Sequence, residues 1–223
     1  GDSMKALFIK DWKLLKNQGK MFGAVLVFYG LLAVMDNSMG QSILGFFPFL
    51  FGFFTISTIS YDEYQHGMTY LMTLPIKRKT YVTEKYLFAM ALAGAGSLLI
   101  LILELLYHVI RHRAMTEVVM WEILSSTCFM IPVVILFLAL ALPLNLKFGS
   151  EKGRSLFSGM MLGFFLSGIV GVKKLKGSLL LEQIQTLLQA KGLLLVLVGI
   201  LIYALILGIS YRISVRIIEK REF

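Results

Sequence analysis

YLFAMALAGAGSLLILILELLYHV, residues 86–109, decides the fold. It carries one formal charge, Glu104, and it is long enough as a helix to cross the hydrocarbon layer, which takes roughly 20 apolar residues. Five more apolar stretches of this kind flank it, at about 21–36, 42–60, 119–143, 155–172 and 192–211. Hydrophobic residues make up 57% of the 223-residue chain and the mean hydropathy is +0.79. A soluble domain usually stays near 45–50% apolar. The expected class is therefore all-α integral membrane: six transmembrane helices, with an N-terminal interfacial helix and a short cytoplasmic helix between the second and third spans.

Little is left over for anything else. No connection is long enough for a soluble domain, so 4–223 reads as a single transmembrane domain, and Gly1-Asp2-Ser3 ahead of Met4 reads as a tag remnant. The lone Cys128 permits no internal disulfide. A net charge of +9 in such a chain reports topology rather than nucleic acid. With an even number of spans both termini share a side. Placing them in the cytoplasm puts 16 of the 22 Lys and Arg inside and 6 outside, which favours that orientation.

Residues 4–18, MKALFIKDWKLLKNQ, show Lys5, Lys10, Lys13 and Lys16 on one helical arc. Leu7, Phe8, Trp12, Leu14 and Leu15 hold the other, interrupted by Asp11. This predicts a helix lying flat at the headgroups. Leu179, Leu180, Ile184, Leu187 and Leu188 recur in the same way and predict a second surface helix within 173–191. The second span is rich in aromatics: Phe47, Phe51 and Phe54 offer a surface for an apolar substrate, and Pro48 is expected to kink it. Small residues share a face at Ala89, Ala93 and Gly96. They recur every four residues at Gly159, Gly163, Ser167 and Gly171, where two helices can approach closely, within the chain or across a dimer. Glu104 is the charge inside a span; it should face protein or water, with His108 one turn on as a partner, as a substrate-path residue or as a structural tie.

The loop at 61–85, YDEYQHGMTYLMTLPIKRKTYVTEK, carries more apolar surface than a plain connection needs. Asp62 and Glu63 open it. Tyr64, Met68, Leu71 and Met72 fit a short helix, Pro75 ends it, and Arg78 belongs to a basic cluster. Such a segment is suited to docking on a partner. Leu71 is taken as part of the docking face.

This loop resembles that of the permease subunits of type-2 ABC exporters. The resemblance rests on Glu63, Gly67, Leu74-Pro75-Ile76-Lys77-Arg78 and Tyr81-Val82-Thr83-Glu84-Lys85-Tyr86. It extends to Pro143, to Lys147-Phe148-Gly149 and Glu151-Lys152-Gly153-Arg154 in a second cytoplasmic loop, and to the basic tail after the sixth span. In size the chain is similar to permeases of bacterial exporters for amphipathic peptides, of the phenol-soluble modulin type. The resemblance implies a bacterial plasma-membrane protein that couples through 62–80 to a separate ATP-binding subunit, which holds ATP and Mg. It also implies a second permease, identical or homologous. The chain itself contains no G-x-x-x-x-G-K-[ST] phosphate loop, no His-Glu-x-x-His helix and no Cys/His cluster, so no catalytic residue, cofactor or metal is expected in it. Two readings compete: a peptide-binding immunity or sensor protein that moves nothing, and a permease for lipids or drugs.

Overall fold

The computed structural model describes residues 2–35, 47–64, 67–110, 115–175 and 179–221. Many side chains of 18–48 and 150–195 lie outside the description, among them those of Phe47, Glu151, Arg154 and Ser167, as do the surroundings of Gly171. The predicted turn at 36–41 lies outside it as well. All regular structure among the described residues is helical: α1 (Asp2–Met35), α2 (Phe47–Glu63), α3 (Gly67–Thr73), α4 (Arg78–Ile110), α5 (Glu117–Leu175) and α6 (Leu179–Lys220).

Three helical stretches are long and apolar enough to cross a membrane among the described residues: Arg78–Ile110, Glu117–Gly149 and Val196–Lys220. They contain the third and fourth predicted spans and all but the first four residues of the sixth. As one straight rod the 59 residues of α5 would reach about 90 Å, three times the hydrocarbon thickness. The helix breaks instead at Gly149, whose φ of 79° and ψ of 175° leave the helical region. That φ is the left-handed side of backbone space, where a Cβ is disfavoured and glycine is not. Past the break the chain doubles back. A Cβ on Gly153 would stand 2.6 Å from Asn145 Oδ1 and 2.9 Å from its Cα, contacts that an uninterrupted helix could not bring about eight residues apart. The predicted second loop is thus a one-residue hinge between helical arms rather than an extended connection. Pro132 and Pro143 lie within the helical run, and the break falls at neither.

Packing centres on α2, α4 and α5, with α6 against α4 and α5, and α1 against α4. Ile56 and Ile59 of α2 meet Val82, Ala89 and Ala93 of α4, Leu138, Leu142 and Leu146 of α5, and Ile218 of α6. The face formed by Ala89, Ala93 and Gly96 is buried as expected, and the reason is close approach: a Cβ on Gly96 would stand 3.0 Å from the Phe51 ring. The other small-residue series differs. Nothing lies within 4 Å of a Cβ placed on Gly159 or Gly163, so these two glycines make no tight contact within the described chain.

Two expectations change. Residues 4–18 are not a separate helix flat on the surface. They form the first half of α1, and Leu7, Phe8, Asp11 and Leu15 face the bundle, with the Phe8 and Phe88 rings edge to face at 5.4 Å. Asp11 is the reason, because it has partners there that lipid cannot supply. Likewise the backbone of 179–191 runs unbroken into the last span, so no separate surface helix forms there. The residues that precede Phe47 lie outside the described ones, and with them the predicted kink at Pro48.

Candidate functional site

Four helix ends meet at one end of the bundle: the C-terminus of α2, the N-terminus of α4, the Gly149 hinge and the C-terminus of α6. Glycine makes the first of these elbows. A Cβ on Gly67 would stand 2.8 Å from the Asp62 carbonyl oxygen, so α3 can fold back against α2 only with glycine at its start.

Directly above this elbow lies a buried charge cluster. Lys85, in the second turn of α4, has no exposed side-chain surface. Its Nζ pairs with Asp11 Oδ2, approaches Asp62 Oδ2 at 2.9 Å and donates to Thr58 Oγ1 at 3.0 Å. The Tyr81 hydroxyl donates to the same Asp62 oxygen at 3.0 Å. Lys10 pairs with the other oxygen of Asp62 and lies 3.2 Å from Asp11 Oδ1. Glu84 is fully buried as well. Its nearest ionic partner is Lys85 at 3.8 Å, and neither carboxylate oxygen is hydrogen-bonded among the described residues. Burial acts to raise the pKa of Asp62, but Lys85 and Lys10 outweigh it and hold the carboxyl below its ordinary value. Removing so many charges from water is costly, and the cost is offset only where each finds its counterpart. The cluster therefore ties α1, α2 and α4 into one unit at a defined register.

A second ion pair joins the other ends. Arg221 Nη1 donates to Glu63 Oε1 at 2.6 Å and to the Leu146 carbonyl at 3.2 Å, so it both pairs with the elbow and satisfies a carbonyl near the end of the first arm of α5. A Cβ on Gly149 would meet Glu63 Oε2 at 3.3 Å. Arg78 donates to the carbonyls of Ile218 (3.1 Å) and Glu219 (2.6 Å), closing the C-terminus of α6. Two predicted loops, at 62–80 and around Gly149, are thereby in direct contact.

Not every predicted docking residue points outward. Met68 and Leu71 are buried in the core, and Met72 packs partly against it. The outward surface here is instead Tyr64 just past α2 (69% exposed), Tyr70 on α3 (71%) and Leu74 at its exit, with Pro75 also exposed. The reason is the elbow: once Gly67 turns α3 back onto α2, the face that carries Met68 and Leu71 covers the core. Lys147 is exposed over the Phe148 ring, 5.2 Å from its centroid. At the far end of the bundle, the ring Nδ1 of His108 lies 2.9 Å from the Glu104 backbone oxygen rather than meeting its carboxylate, and Glu104 Oε2 has no hydrogen bond among the described residues. Phe51 and Phe54 pack on each other at 6.2 Å, and Phe54 is buried, so Phe54 faces protein and not an open path. No group of three or more potential metal ligands exists among the described residues.

Sequence reading missed the members of the cluster, Asp11, Thr58, Tyr81, Glu84 and Lys85. A usable signal was present: an acidic residue in the middle of an apolar arc needs a cation, and Lys85 stands next to a span. Residues 6–219 match the family described as ABC-2 family transporter protein. The chain belongs to that family. No curated protein and no solved structure matches it. As an ABC-2 family member it is a membrane-embedded permease, a transport subunit rather than a catalyst, and the elbow, the hinge and the charge cluster are features of its membrane domain.

Proposed function

We propose that this ABC-2 permease belongs to an ATP-driven exporter and that a separate ATP-binding subunit docks on α3. The supporting observation is the two-faced α3, with Met68 and Leu71 anchored in the core while Tyr70 stands exposed, flanked by exposed Tyr64 before the helix and exposed Leu74 after it. Exposed aromatics beside charged neighbours are the kind of side chain that anchors small interfaces. A push on α3 would reach Asp62 and Glu63 at once, and through them α1, α4, the Gly149 hinge and α6. ATP and Mg would be held by the partner, because this chain has no phosphate-loop motif.

In this reading the chain spans the plasma membrane six times, with both termini and the charged end in the cytoplasm, following the Lys and Arg distribution. A second permease, identical or homologous, completes the unit, and the open glycines Gly159 and Gly163 offer a face for it. Phe51 and the aromatic-rich second span suit an amphipathic peptide better than a hydrated ion, in line with the likeness to exporters of the phenol-soluble modulin type. Glu104, with one oxygen that has no hydrogen bond among the described residues, is a substrate-path residue in this scheme.

The test is purification of the tagged full chain from its native membrane. An ATP-binding subunit should come with it, and Tyr70→Asp should lose that subunit while the permease stays folded. Peptide-stimulated ATP hydrolysis in the reconstituted pair would support the substrate class; stimulation by sodium and by no peptide would overturn it. Retention of the partner by a Tyr64→Asp, Tyr70→Asp double variant, with transport intact, would move the docking site elsewhere.

A further inference from the structure

A crevice of about 270 Å³ opens between α4, α5 and α6. Its walls include Tyr86, Met90, Ile135, Leu142, Gly208 and Tyr211. It is smaller than the ~300–1,000 Å³ typical of a site for a compact drug-sized molecule. The hydroxyls around it are engaged with one another. Tyr86 OH is 2.6 Å from Ser210 Oγ and 2.9 Å from Ser214 Oγ, and Tyr211 OH is 2.8 Å from Thr83 Oγ1. The walls therefore ask for an apolar occupant.

Gly208 also lines an adjoining groove along α6, which ends at Arg212, one turn further along the helix. Arg212 and Arg216 are both exposed, four residues apart on one face, and neither enters an ion pair among the described residues. An apolar crevice thus leads within one turn to uncompensated cations. Gly208 lines both, and a Cβ placed on it would meet nothing within 4 Å among the described residues.

We propose that this is a binding site for an anionic phospholipid. One acyl chain lies in the crevice between α4, α5 and α6, and the headgroup phosphate sits against the Arg212 guanidinium. The burial of the chain supplies affinity for any phospholipid, and Arg212 supplies the preference for a negative headgroup.

The experiment is native mass spectrometry of the purified full chain in detergent, with phosphatidylglycerol and phosphatidylcholine of identical acyl chains in competition. Phosphatidylglycerol should be retained over phosphatidylcholine by about fivefold, the weight of one basic residue beside an anionic headgroup. Arg212→Gln should abolish the preference and leave retention of phosphatidylcholine unchanged. Gly208→Leu, whose side chain extends into open space, should reduce retention of both lipids. If Gly208→Leu fails to fold, Arg212→Gln decides alone, since its side chain is exposed. Equal retention of the two lipids by the unaltered chain, or a preference that survives Arg212→Gln, would overturn the proposal.

Discussion

The two ends of the bundle treat charge in opposite ways. At one end Asp11, Asp62, Lys10 and Lys85 are drawn together, and Lys85 is withdrawn from solvent altogether. At the other, Glu104 keeps an oxygen without a hydrogen bond among the described residues, and its neighbour His108 contacts its backbone rather than its carboxylate. A buried pair is costly to break because the surviving charge is left alone; an isolated charge near an edge has little to lose. The first arrangement sets the positions of α1, α2 and α4 relative to one another. The second joins no helices by an ion pair among the described residues and leaves one buried carboxylate oxygen unsatisfied there.

The largest expected effect follows directly. Lys85→Met leaves Asp11 and Asp62 with only the partly exposed Lys10 between them and should destabilise the protein by about 3 kcal/mol. Glu104→Gln should shift stability by less than about 1 kcal/mol. Thermal or denaturant unfolding in detergent, followed by circular dichroism, measures both. Equal losses would erase the contrast between the two ends.

Glycines sharpen the same comparison at an intermediate size. Gly67→Ala drives a Cβ to 2.8 Å from the Asp62 carbonyl, against backbone that cannot yield cheaply, and should cost about 1–3 kcal/mol. Gly94→Ala, on α4 with nothing within 4 Å, should be neutral or stabilising by up to about 1 kcal/mol. A Gly67→Ala protein as stable as its parent would mean that the elbow has another way to close.

Acid gives the smallest effect. The Asp62 carboxyl is held below its ordinary value of 3.8, so its contribution is fully present above that value. It fades as the pH falls through the ordinary value toward the lower, folded one. Stability of the unaltered protein should therefore drop between about pH 4 and the lower folded pKa more steeply than that of Asp62→Asn. Parallel pH profiles for the two proteins would remove Asp62 from the cluster's energetics.

Much of the helical content was legible from composition. The apolar runs at 86–109 and 119–143, and most of that at 192–211, fall inside helical stretches of spanning length, because a run that long has no way to satisfy its backbone in lipid other than as a helix. The buried face at Ala89, Ala93 and Gly96 was legible from spacing. Leu71 was legible as apolar but not as inward-facing. Its direction depends on how sharply the chain turns at Gly67, and that turn depends on a carbonyl five residues earlier. Asp11 was legible as an anomaly, and nothing local says that its counterpart lies 74 residues further on.

The sequence by itself determined that the chain is helical and apolar in long blocks, with most basic residues between them and glycines where the Gly67 and Gly149 turns fall, because helix formation, transfer to lipid and φ are set within a few residues of the chain. The tertiary structure alone decided which charges are spent inside the fold and which remain outside. Pairing Asp11 with Lys85, Asp62 with Lys10, and Glu63 with Arg221 requires side chains from segments far apart in sequence to come within 3 Å of one another. That proximity is a property of packing, and no spacing along the chain encodes it.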